Sequence, residues 1–138
     1  MGFGLATSAS TGLLNYYDTG NFTASFSTGM YTTPTNVLVQ YCRIGNVVHL
    51  AFPDARVTAN ATATTWGAVA GQFPASIRPS TSRVVSIVTQ YSNVGESGFI
   101  SINADGAAYL YRSGQVNFAS GTENCGFYYQ TCSYLVNN

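Results

Sequence analysis

Residues 36–52 read NVLVQYCRIGNVVHLAF, and their alternation decides the fold class. Val37, Val39 and Tyr41 fall on one side of an extended chain, and Leu38, Gln40 and Cys42 fall on the other. After Arg43-Ile44-Gly45-Asn46 the two-residue period resumes, with Val48, Leu50 and Phe52 on one side. Glycine and asparagine accept the positive φ that a tight reversal demands, so the spacing predicts a β-hairpin whose arms bury apolar faces against one core.

The same period extends in both directions. Towards the N-terminus, FTASFST at 22–28 places Phe22, Ala24 and Phe26 on one side of an early strand. Residues 55–72 mix small side chains with Trp66 and support short strands near 56–59 and 65–69. RVVSIVTQY at 83–91 reads as a core strand, followed by a glycine-containing turn at 93–98. Phe99, Ser101 and Asn103 then oppose Ile100 and Ile102, Ala104-Asp105-Gly106 is a turn, and Ala108, Leu110 and Arg112 alternate with Ala107, Tyr109 and Tyr111. Ser113-Gly114 marks another turn, Val116 and Phe118 begin a strand, and a loop at 121–124 leads into GFYYQTCSYLV as a closing strand. Helix formers are scarce and lysine is absent. Strands recurring at roughly eight to twelve residues predict an all-β domain, a β-sandwich or jelly roll.

Composition narrows the function. Charged residues make up 7% of the 138, and five arginines balance three aspartates and two glutamates. A surface of hydroxyls and amides neither steers a polyanion nor builds a basic nucleic-acid face, so nucleic acid is not an expected partner. No stretch reaches the roughly twenty apolar residues of a membrane-spanning helix, so membrane insertion is not expected. MGFGLATSAS has neither the basic region nor the apolar run of a signal peptide, and it lacks the Ser or Thr at position 6 of a myristoylation signal. Asn21-Phe-Thr23 and Asn60-Ala-Thr62 are sequons that count only in a secretory pathway. Cys42, Cys125 and Cys132 are odd in number and lack zinc spacing. Free buried thiols and a Cys125–Cys132 clip across a hairpin are the two readings they allow.

The stretch FPASIRPS at 73–80 breaks the pattern. Two prolines five residues apart exclude an interior ladder strand and bias Phe73 and Arg78 towards extended backbone. Phe73, Pro74, Ile77, Arg78 and Pro79 therefore form a structural corner: Phe73 and Ile77 anchor it in the core and Arg78 reaches for carbonyls or a carboxylate.

Four pieces together carry a family resemblance: Arg43-Ile44-Gly45-Asn46-Val47-Val48, Phe73-Pro74-x-x-Ile77-Arg78-Pro79, Gly98-x-Ile100-x-Ile102-x-x-Asp105-Gly106 and Ser133-Tyr134-Leu135. Over about residues 19–136 the chain resembles C-terminal head domains of phage tail fibres and related fibre or surface proteins of large DNA viruses. The resemblance implies an all-β jelly-roll β-sandwich, a C1q- or TNF-like head that is a homotrimer, carried on the virion surface beside other virion proteins and attached to a host-cell receptor or glycan. On that reading residues 1–18 are an N-terminal attachment or interface segment and 19–138 a single head domain. The motif residues are scaffold in such heads, and none carries over as a receptor contact.

Enzyme chemistry finds little footing. His49 is the single histidine and sits in a regular alternation, which places it on a sheet surface; around a trimer axis, three copies can bind one metal or titrate together. No nucleophile elbow, paired-carboxylate motif, calcium loop or phosphate-binding glycine loop surrounds any candidate, so neither catalytic residue, cofactor nor metal is expected. Tyr109 and Tyr111 share one face opposite Ala108 and Leu110; with His49 they are candidate trimer-interface residues, a ligand patch and core packing being the other readings of the tyrosines. The exposed loops at 93–97 and 120–124 supply the candidate ligand contacts Asn93, Glu96, Ser97, Glu123 and Asn124. Two competitors remain open: a structural minor virion or capsid-associated protein without a host ligand, and a small carbohydrate-active enzyme.

Overall fold

The computed structural model describes residues 16–137. Ten strands follow in chain order: β1 (Tyr17–Gly29), β2 (Thr35–Ile44), β3 (Val47–Phe52), β4 (Ala55–Val57), β5 (Thr65–Ala68), β6 (Arg83–Tyr91), β7 (Val94–Ile102), β8 (Ala108–Tyr111), β9 (Cys125–Phe127) and β10 (Gln130–Leu135). They form one antiparallel ladder in the order β10-β3-β2-β1-β5-β8-β7-β6-β9-β4. The fold is all-β, a half-barrel sheet curled until its two halves face each other as in a sandwich. Of the expected N-terminal segment, residues 1–15 lie outside the described residues, while Tyr17 and Asp18 open β1 opposite Ile44 and Arg43.

The hairpin of 36–52 forms as β2 and β3, with Ile44 opposite Val47 and the two-residue turn Gly45-Asn46 between them. Gly45 has φ 59° and Asn46 does not join it in positive φ, the pattern of a turn that matches strand twist. Val37, Val39, Val48, Leu50 and Phe52 are buried, so both arms face one core. That core is aromatic where the halves meet. Phe52 of β3 stacks on Phe127 of β9 at 4.8 Å and 4°, Phe127 meets Phe26 edge-on at 5.4 Å, and Phe26 lies 5.0 Å from Trp66. Burying each such ring contributes roughly 1.5–3 kcal/mol, and β3 and β9, far apart in the ladder, are joined through it.

The curl brings β10 beside β6, and no backbone ladder joins them. Side chains bridge the seam instead. The Gln130 amide donates to Val88 O at 2.7 Å and accepts from Val88 N at 2.8 Å, and Arg83 Nε donates to Leu135 O at 2.9 Å. At the other ladder edge β4 has three residues and an exposed Arg56–Asp54 ion pair, a short charged edge that discourages pairing with another chain.

The corner at 73–80 packs against β1, β2 and β10. Phe73 and Ile77 are fully buried, Ala75–Ile77 form a 3₁₀ turn, and Arg78 Nε donates to Phe73 O at 2.7 Å. Phe73 also meets Phe22 edge-on at 4.8 Å. The corner is tied down by Arg43 Nη1 on Ser76 O at 2.6 Å and Tyr134 Oη on Ile77 O at 2.6 Å. Pro79 is buried and Ser80 N donates to Val136 O, so Pro74 and Pro79 bracket a crossover into β6.

Three expectations need correction. Residues 94–98 are strand, not turn: the reversal is Ser92-Asn93, with φ 52° and 67°, and β7 begins at Val94. The glycines that suggested a turn serve close approaches instead. A Cβ on Gly95 would meet the Tyr128 ring at 2.7 Å, and one on Gly98 would run into Thr89 Oγ1 and Tyr111 O. Glu96 and Ser97 are therefore strand residues opposite Thr89 and Val88, and not loop contacts. Val116 and Phe118 start no strand; Phe118 makes one isolated bridge to Ala63. The closing stretch splits at Tyr128-Tyr129 into β9 beside β6 and β10 beside β3.

Candidate binding grooves on the outer face

Two open grooves lie on the outward side of the sheet, one on each half. The first, of about 520 Å³, runs along β6 and β7 to the seam and is lined by Ser86, Ile87, Val88, Gly95, Glu96, Ser97 and Gln130. Its shape follows from the register. Val88 stands opposite Ser97 and Ser86 opposite Phe99, so small hydroxyl side chains alternate with apolar ones across the hairpin. At Gly95 the missing side chain leaves room for the Tyr128 ring, and Ile87 and Val88 supply the groove's apolar lining. The Gln130 amide is fixed by its two bonds to Val88 and cannot swing away.

Glu96 lines this groove, yet its carboxylate is engaged elsewhere. Arg112 Nε donates to Glu96 Oε2 at 2.8 Å, both side chains being mostly buried. The same guanidinium donates through Nη1 to Asn117 O at 2.6 Å and lies over the Tyr91 ring, 3.4 Å from its centroid. Glu96 thus holds Arg112 at one end of the barrel, and the groove presents hydroxyl, amide and apolar surface with its one carboxylate neutralised.

Of the other sequence-derived contacts, the structure brings Asn93 and Asn124 together: Asn93 N donates to Asn124 O at 3.4 Å, and both asparagines adopt left-handed backbone. Glu123 is exposed in the same loop. Ser97 faces the groove and does not join this cluster. Tyr109 and Tyr111 are half-buried on the outer face; Tyr111 stacks on Phe99 at 4.4 Å and 14°, and Tyr109 lies where a Gly67 side chain would project. His49 is not with them, because β2, β1 and β5 separate its strand from β8.

The second groove, of about 460 Å³, belongs to β1, β2, β3 and β10 and is lined by Thr19, Asn21, Gln40, Cys42, His49 and Thr131 among others. His49 is exposed, and its Nδ1 is 2.8 Å from Ser133 Oγ. All three cysteines are free, so the Cys125–Cys132 clip is not formed. Cys125 is fully buried and burial pushes its thiol up; burial pushes the Cys132 thiol up to about 12. Burial, then the Asp18 carboxylate that accepts its hydroxyl at 3.3 Å, raise Tyr41. Among the described residues no group of three or more His, Cys, Asp or Glu side chains is placed to hold a metal ion.

Sequence reasoning missed both grooves as shapes. The signal available was the face opposite each core residue: Ser86, Val88 and Ser97 on one hairpin, Gln40, Cys42 and His49 on the other. Compared with known proteins, the sequence matches no family model and no curated protein sequence.

Proposed function

We propose that the chain is a non-catalytic recognition head: a C1q- or TNF-like jelly roll that assembles as a homotrimer on a virion surface and attaches to a host receptor or neutral glycan. The observation that carries this reading is the β6–β7 groove, with fixed amide, serine hydroxyls, apolar Ile87 and Val88 and neutralised carboxylate. Such a lining suits an uncharged polyhydroxyl ligand, which lays an apolar face on Ile87 and Val88 and bonds at its rim. The half-buried Tyr109–Tyr111–Phe99 strip is the face through which copies meet on this reading. Three weak sites on one platform then give avidity through effective concentration.

The test is a glycan array and cell-binding assay on protein whose mass is measured by light scattering during size-exclusion chromatography. Ser97→Arg and Ser86→Arg fill the groove from solvent-exposed positions, and binding falls at least tenfold with the assembled mass unchanged. Wild-type binding by both variants removes the groove from the reading, and a monomer at every concentration removes the trimer.

A second reading has its own observation. Tyr17, Ile44, Val47 and Leu135 stand directly opposite one another across β1, β2, β3 and β10, forming an outward apolar row. That row suits a minor virion or capsid-associated protein held by other virion proteins. It predicts saturable binding to capsid components and none to host surfaces.

A further inference from the structure

Cys42, His49 and Ser133 form one cross-strand row. Cys42 stands directly opposite His49 between β2 and β3, and His49 directly opposite Ser133 between β3 and β10. Directly opposed residues share a face, with Cβ atoms roughly 4.5–5.5 Å apart. That face is outward: His49 and Ser133 are exposed and Cys42 partly so, whereas Leu50 and Tyr134, next along their strands, are buried. Ser133 Oγ holds the imidazole at Nδ1, 2.8 Å away, which leaves Nε2 as the nitrogen to serve the groove. Cys42 and His49 both line the open groove of about 460 Å³. A thiol, a base beside it and a third group orienting the base are the three parts of an activated nucleophile.

We propose that Cys42 is an imidazole-assisted thiol that undergoes exchange with small-molecule disulfides at this groove. His49 takes the proton of the Cys42 thiol, and the resulting thiolate attacks one sulfur of the disulfide RS–SR. The Cys42–SR bond forms as the RS–SR bond breaks, and the departing RS⁻ recovers the proton from the His49 imidazolium. One disulfide is made for one broken, so no further oxidant enters. The exchange neither needs nor supplies the attachment function.

The remaining thiols are internal controls. Cys125 is fully buried with Sγ 3.4 Å from Thr122 O. Cys132 points the other way from Ser133, into the side of the sheet carrying Leu50. The probe is 5,5′-dithiobis(2-nitrobenzoic acid) on the native chain, with released thiolate followed over time and the modified cysteine located by mass spectrometry. One equivalent reacts fast and maps to Cys42, and Cys42→Ser removes that phase while Cys125 and Cys132 react only after denaturation. His49→Gln slows the fast phase at pH 7 by about threefold or more and leaves it unchanged at pH 10, where accessible thiols ionise unaided. Ser133→Ala gives a smaller loss with the same pH dependence. Fast labelling at Cys125 or Cys132, or a His49→Gln rate profile superimposed on the wild type, overturns the assignment. Wild-type mapping decides the site even where a variant folds poorly.

Discussion

Tyr134→Phe removes one oxygen from the place where β10 meets the proline-bracketed corner. Tyr134 is 6% exposed, and its hydroxyl donates to Ile77 O at 2.6 Å across 57 residues of sequence. Burial raises the phenol above its ordinary range, so it remains a donor through neutral and mildly alkaline pH. Phenylalanine keeps the ring packing and strips the Ile77 carbonyl of this donor inside a fully buried residue. An orphaned buried acceptor costs about 1–3 kcal/mol, and about 2 is the central expectation. Unfolding entropy near about 2.1 cal/mol/K per residue makes about 0.29 kcal/mol/K for this chain, so Tm falls by about 7 °C. Calorimetry measures the midpoint, and urea titration shows the loss in midpoint at constant slope. Tyr129→Phe, at a residue 79% exposed, is the matched control and leaves Tm within about 1 °C. A Tyr134→Phe shift no larger than the control's refutes the claim that this bond ties the corner to the sheet.

Two further predictions concern the same frame. Burial places the Cys132 thiol at about 12 against an ordinary 9.0, and an acid held above its unfolded value contributes stability in full below that value. The contribution is then lost as pH rises from about 9 to 12, at up to about 1.4 kcal/mol per pH unit, with buried Tyr134 adding in the same direction above about 10. Urea midpoints taken across that range show a steep decline that Cys132→Val makes shallower; parallel curves for the two proteins contradict the assignment. Gly98→Ala drives a Cβ into Thr89 Oγ1 and the Tyr111 carbonyl and costs about 3 kcal/mol. Gly71→Ala, at φ +89° with open space around it, costs about 1 kcal/mol for its backbone alone. Equal losses in urea titration would sink the distinction between crowding and backbone strain.

The residues spoke for themselves where turn chemistry and alternation agree. β2 and β3 are legible because Gly45-Asn46 fits a two-residue reversal, and β6 reads off at Arg83–Tyr91 because its alternation is unbroken. Gly95 and Gly98 misled because a glycine required by a neighbouring side chain has the same letter as one required by a turn. The split at Tyr128-Tyr129 was invisible for a related reason: β9 and β10 answer to partners some forty and eighty residues away, and nothing in GFYYQTCSYLV records which neighbour each half will meet. Ser97 faces the groove, while Glu96, one residue earlier, turns towards Arg112, a difference set by period-2 geometry once 94–98 is known to be strand.

The Gln130 bridge bears on how the molecule is made. Translation delivers β3 and β6 long before β10 exists, so the outer edge of β3 and the Val88 peptide wait unpaired while some forty further residues leave the ribosome. Throughout that interval the nascent chain displays an open strand edge that a neighbouring nascent chain can match. The Gln130 amide on Val88 closes the interval from one side and the β10 ladder to β3 closes it from the other. A chain that stops shortly before residue 130 lacks both Gln130 and β10, so β9 still covers β6 at Thr89 and Gln90 while the Val88 peptide and the outer edge of β3 have no partner.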